Sequence, residues 1–117
     1  MTTWTPEEVR GWFAGRLPDD WFTGPPTVTV DREELLVVGV LPPPDVGEGG
    51  DAALAVALAA RIKGFREETR RTRMRVADEA ETLWGRKVSW GATCGDRTEL
   101  FRPVFRLGAE EIFQVVR

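Results

Sequence analysis

The chain has 117 residues, 42% of them hydrophobic and 30% charged, with a net charge of −3, the size and balance of one globular domain with a modest core. It holds no histidine, no tyrosine and a single cysteine, Cys94, which excludes Ser-His-Asp and Cys-His catalysis, histidine-ligated metals and any disulfide within the chain. The most apolar run, residues 52–60, is far too short for a bilayer, and the first five residues lack the charged and apolar regions of a secretory leader, so a cytoplasmic domain spanning 1–117 is expected.

Thr5-Pro6-Glu7-Glu8 is a strong helix start, with Thr5 able to cap, Pro6 suited to the first position and Glu8 completing a capping box. Val9, Trp12 and Phe13 share a face, so this helix should run to about Arg16. An aromatic connector, Trp21-Phe22-Thr23-Gly24-Pro25-Pro26, leads to Thr27-Val28-Thr29-Val30 and then to residues 34–41, which together read as a β-hairpin. The second strand is apolar on both faces and should be covered on both sides, by helices on one and by another subunit on the other. Residues 42–51, rich in Pro and Gly, read as a linker, with Asp51 as a cap for the next helix.

Residues 52–84 carry one helical pattern, in which Leu54, Leu58, Ile62, Phe65, Thr69, Thr72, Val76, Ala80 and Leu83 recur every three or four residues. An unbroken helix of this length would span roughly 50 Å at about 1.5 Å per residue. Gly64 lies off the stripe and costs only about 1 kcal/mol relative to Ala, so one continuous helix is expected. Gly85 ends it, and two strands joined by Gly95-Asp96 follow, the second running from Arg97 to about Phe101. Residues 108–116 fit either a short helix or a strand, and the helix is preferred. The expected architecture is α+β, ordered α-β-β-α-β-β(-α), with a small, mainly antiparallel sheet packed by one long amphipathic helix.

Charge is unevenly placed, at −7 over residues 1–51 and +4 over 52–117. Fourteen of the sixteen bases are arginine, a bias that a GC-rich genome produces without selection for phosphate binding. The basic stretch 61–75 holds seven bases and two acids. On a helical projection Lys63, Arg66 and Arg70 form one flank, and Arg71 and Arg75 the other. With Arg73 these are the candidate site residues, because guanidinium forks on a rigid rod can follow a phosphate backbone. The plainer reading is a solvated face, held by pairs such as Glu67–Arg71 and Glu68–Arg71 and drawn to the acidic amino-terminal half.

Other constellations are weaker. Cys94 has no histidine to serve as base and reads as a small apolar turn residue. The adjacent carboxylates Glu7/Glu8, Asp19/Asp20, Glu33/Glu34 and Glu110/Glu111 point apart in helix or strand. Gly47-Glu48-Gly49-Gly50 lacks the phosphate-loop lysine. Of five tryptophans, Trp12 and Trp90 fall on inward faces, whereas Trp4 and Trp21 sit where a groove could form.

Arg73-Met74-Arg75-Val76-Ala77-Asp78-Glu79-Ala80-Glu81, followed by Gly85-Arg86-Lys87-Val88-Ser89-Trp90-Gly91-Ala92, resembles a group of small bacterial proteins to which no activity is attached. The order from Thr27-Val28-Thr29-Val30-Asp31 through Val38-Gly39-Val40-Leu41-Pro42 into an Ala-rich helix and a strand is similar to the BON domain, and that resemblance implies phospholipid or membrane-surface binding. The residues themselves point to a non-catalytic binding module without cofactor or metal, associating with nucleic acid through the basic helix. The alternatives are a protein–protein interaction module acting on an acidic surface, anionic-lipid binding, and a small ligand carrier. A homodimer is expected from the two-faced strand, the over-long helix and the opposed charge halves.

Overall fold

The computed structural model describes residues 3–101, so the expected final helix at 108–116 lies outside the described residues. Its elements are α1 (Pro6–Arg16), β1 (Thr27–Val30), β2 (Glu34–Val40), α2 (Gly50–Glu68), α3 (Arg70–Trp84), β3 (Lys87–Cys94) and β4 (Arg97–Phe101). The fold is α+β. Four strands form one sheet in the order β1-β2-β3-β4. The outer two pairings are antiparallel and the central pairing of β2 with β3 is parallel.

Local chemistry explains the ends of most elements. The Thr5 hydroxyl accepts from the Glu8 amide at 3.1 Å, and the Glu8 carboxylate accepts from the Thr5 amide at 2.9 Å, so two donors at the start of α1 are satisfied reciprocally. The Asp31 carboxylate accepts from the Glu33 and Glu34 amides at 2.8 and 3.2 Å. These two bonds hold its pKa below the ordinary value and organise the turn into β2. Gly85 takes a left-handed conformation (φ 70°) and its amide bonds the Glu81 carbonyl at 2.7 Å, ending α3. Cys94 pairs with Arg97 across the two-residue Gly95-Asp96 loop. At α2 the cap position falls on Gly49, and Asp51 lies within the first turn.

The residues expected to make one helix form two. The interruption falls at Thr69, whose backbone leaves helical values (φ −98°, ψ 1°), and not at Gly64. The hydrogen-bond ladder carries on through it, since the Thr69 amide bonds the Phe65 carbonyl and the Arg73 amide bonds the Thr69 carbonyl. Thr69 also turns its hydroxyl onto the Phe65 carbonyl at 2.6 Å, the back-bonding by which Ser and Thr bend helices.

The three described helices pack on one face of the sheet. There Val9, Phe13, Leu17, Leu58, Ile62, Val76 and Ala80 meet Val28, Leu35, Val37, Trp90, Ala92, Cys94 and Phe101. Trp4 and Trp12 both meet Trp84 edge to face at 5.2 Å. Trp21 packs against Phe22, Phe65 and Trp90. Alternation along β2 sends Leu35, Val37 and Gly39 inward and leaves Val40 exposed on the other face. Arg16 and Glu79 clasp α1 to α3 through two bonds of 2.6 and 2.9 Å. In this pair the base comes from the acidic half and the acid from the basic half, the reverse of the expected sense.

Two variants test the packing. A Cβ at Gly39 would stand 2.3 to 2.4 Å from three ring carbons of Phe22, whereas one at Gly64 would meet nothing within 4 Å. Gly39→Ala should therefore lower stability by about 1–3 kcal/mol through overpacking, and Gly64→Ala should raise it by up to about 1 kcal/mol. Urea melts of both resolve the two signs; a stabilised Gly39→Ala protein would contradict the contact. The clasp has a pH signature. The Arg16 hydrogen bond pulls the Glu79 carboxyl below its ordinary 4.5. Its stabilisation is then present above that value and lost as pH falls through the lower folded-state pKa. Glu79→Gln should flatten the fall in melting temperature between about pH 5 and 3, and an unchanged slope would show that the pair does not form in solution.

Candidate functional site

The six basic residues do not stand alike. Lys63, Arg70, Arg71 and Arg75 are exposed and Arg66 is half-buried, but Arg73 is only 7% exposed. Its Nε donates to the Thr69 hydroxyl at 2.9 Å and a terminal nitrogen donates to the Arg66 carbonyl at 2.6 Å. Its guanidinium carbon lies 5.1 Å from the centre of the Phe101 ring, and that of Arg66 lies 5.3 Å from the same centre. Thr69 supplies the reason. By bending the helix it brings its own hydroxyl and the Arg66 carbonyl within reach of Arg73, so a charge that would be costly to bury finds two acceptors and an aromatic face.

Three guanidinium groups thus converge at the bend. Burial, then the like charges of Arg66 and Arg70, bring Arg73 down to about 10, so it remains cationic at neutral pH. Two carboxylates near the cluster are engaged, Glu67 with Lys63 at 3.9 Å and Glu99 with Arg97 at 2.7 Å, whereas the exposed Glu68 beside Thr69 is in no ion pair among the described residues. Among the described residues, Arg70, Arg71 and Arg75 form no ion pair, and the expected Glu67–Arg71 pairing is replaced by Lys63–Glu67. A cleft of about 480 Å³ lies over Ile62, with Lys63, Arg66, Arg70, Glu67 and Glu99 around it. Phe101, the platform beneath Arg66 and Arg73, is a site residue that the sequence pattern does not single out.

A second cleft, of about 570 Å³, runs beside Trp21 and Phe65, with Asp20, Arg61 and Glu68 at its rim and Gly64 opening one side. Arg61 is held to the Pro42 carbonyl, which fastens the start of the proline segment to α2. Cys94 is buried, and desolvation raises its thiol pKa, the opposite of what a reactive thiolate needs. Among the described residues no three metal-ligating side chains gather, and no helix is long and apolar enough to cross a membrane.

The inward and outward arginines should separate in stability. Arg73→Ala removes two hydrogen bonds and the cover over Phe101 and should cost about 2 kcal/mol or more. Arg70→Ala and Arg75→Ala should each stay within about 0.5 kcal/mol of the parent. Equal effects in chemical denaturation would contradict the placement of Arg73.

The likeness to known proteins extends over most of the chain. The model of the family described as Rv1265-like protein, N-terminal domain, matches residues 7–100, a span that includes every basic residue of the cluster. Uncharacterised proteins of Mycobacterium bovis and Mycobacterium tuberculosis are 54% identical to the chain over 93 residues, covering 80% of this chain and 40% of each relative. The chain therefore spans well under half the length of those relatives. No solved structure matches it. By the extent of the family match, from the first helix to the last strand of the sheet, the chain belongs to the Rv1265-like N-terminal domain family.

Proposed function

We propose that the domain is a non-catalytic binding module that associates with nucleic acid through the basic shoulder at Thr69. The observation that carries this reading is the convergence of Arg66, Arg70 and Arg73, whose charges repel one another, with Glu67 and Glu99 paired to other bases. A cluster of like charge gains most from an anion with several charges, and arginine forks match phosphate oxygens in pairs. Lys63, Arg66 and Arg70 on one flank and Arg71 and Arg75 on the other supply the phosphate contacts. Arg73 acts from beneath, fixing the bend and adding a charge that cannot swing away.

The chain's overall charge of −3 does not oppose this. At physiological salt, fields fade over about 8 Å, so a phosphate at the shoulder feels the local arginines more than the remote acids. No base-reading groove is needed: backbone contacts position a protein without selecting sequence.

A second reading is favoured by the cleft beside Trp21, whose aromatic wall and mixed rim suit a segment of a partner protein. The two readings separate in one experiment. If the shoulder binds phosphate, Arg70→Ala/Arg71→Ala should weaken binding to mixed-sequence duplexes by ten-fold or more, about equally across sequences, and reduce the salt slope by about 2. Fluorescence anisotropy at several salt concentrations reads both. Unchanged affinity in the double variant would contradict the proposal and turn attention to the Trp21 cleft.

A further inference from the structure

The cleft at the basic shoulder has a mixed lining. Its floor is apolar, from Ala59 and Ile62 of α2. Its rim carries the cations Lys63, Arg66 and Arg70 and two anions, Glu67 of α2 and Glu99 of β4. Its volume of about 480 Å³ falls within the roughly 300–1,000 Å³ of small-ligand sites. Arg66 serves it from a fixed position, because its guanidinium carbon also lies 5.3 Å from the centre of the Phe101 ring. Glu99 is held as well: its Oε2 accepts from Arg97 Nε at 2.7 Å, which takes one of the roughly four acceptor positions that a carboxylate offers.

This lining sorts the parts of a ligand. A phosphate inside the cleft would face Glu67 and Glu99, whereas on the outer rim it meets Lys63, Arg66 and Arg70. What enters is therefore uncharged, flat enough to cover an apolar floor, and able to donate an N–H to a carboxylate. A nucleobase next to its own phosphate combines these properties. In a duplex its faces are stacked and its pairing edge is taken, so it can enter only from a single strand.

We propose that the cleft takes one unstacked base of a single-stranded nucleic acid, with cytosine preferred over thymine or uracil. The proposal rests on phosphate binding at the shoulder and adds a site for a base to it. Arg66, backed by Phe101, supplies the surface on which the base stacks, and Glu99 reads its edge. Cytosine presents its N4 amino group where thymine presents the O4 oxygen. The first donates to Glu99 and the second is repelled by it. A duplex touches the rim alone and carries no such preference.

Fluorescence anisotropy of the full chain with labelled oligocytidine and oligothymidine strands of about 12 nucleotides tests the site, with a mixed-sequence duplex as reference. The cytosine strand should bind about three- to ten-fold more tightly than the thymine strand, the worth of one hydrogen bond. Glu99→Gln should abolish this preference without weakening the duplex. Ala59→Phe, which fills the cleft, should abolish it too, with duplex affinity and melting temperature held. Ribose strands of cytosine and uracil, run in parallel, show which sugar the site accepts, and a cytosine preference in either set supports it. Equal affinity for the two bases in both sets, or a preference that survives Glu99→Gln, would overturn the base site while duplex binding leaves the basic shoulder standing. Absence of binding to every strand and to the duplex at about 50 mM salt would overturn both.

Discussion

The parallel pairing of β2 with β3 constrains everything around it. Two parallel neighbours cannot be joined by a tight turn, so the chain must return to the starting end of the sheet by a crossover. Here that crossover is the proline segment followed by α2 and α3. It lays both helices on one face, beside α1 and the Phe22 ring that sits flat on Gly39. The other face receives none of the described helices. A buried aromatic layer on one side and an uncovered valine and leucine strip on the other are both products of this single connection.

The crossover is too long to be straight over a sheet whose longest strand has eight residues, and it bends at Thr69. The bend rests on an exchange of hydrogen-bond partners: a threonine hydroxyl taken up by a helix carbonyl, and an arginine one turn later bonding to that hydroxyl and to a second carbonyl. Burying a guanidinium carries a desolvation cost, and here the cost is offset by two acceptors and the Phe101 ring. Removing the charge alone would strand those acceptors, which is why the bend and the basic cluster belong to one structural unit. The same bonds that shape the crossover fix a positive charge beneath Arg66 and Arg70.

Features set by neighbours along the chain are legible in the sequence alone. The Thr5–Glu8 capping box, the Gly85 helix stop and the Gly95-Asp96 hairpin each depend on a few adjacent residues. Features set by distant contacts are not. The two-faced apolar run 35–41, followed by a helix, suits a parallel strand, but nothing in it names β3 as the neighbour. By propensity Gly64 is the weaker point of the helix, but Thr69 bends it because Arg73 supports an alternative hydrogen-bond arrangement there. A signal for Arg73 is present: it lies four residues after Thr69 and three before Val76, on the inward stripe, where the apolar spacing selects its neighbour Thr72 instead. An arginine at an apolar spacing is easily assigned to solvent, and only the Thr69 hydroxyl and the Phe101 ring make its burial favourable. Glu67 likewise has two bases at helical spacing, Lys63 on α2 and Arg71 across the bend on α3, and pairs with Lys63, leaving Arg71 outward.

The domain is thus an α+β scaffold that concentrates arginine charge at one helix bend and leaves Val40 and Leu100 exposed on the opposite sheet face. The most direct test of the basic shoulder is the affinity of the unmodified chain for a mixed-sequence duplex, measured between about 50 and 200 mM salt. Three to five phosphate contacts predict a logarithmic slope of about −2.7 to −4.5, so that binding falls by roughly two orders of magnitude across this range. Absence of binding at the lower salt, or an affinity indifferent to salt, would contradict the account.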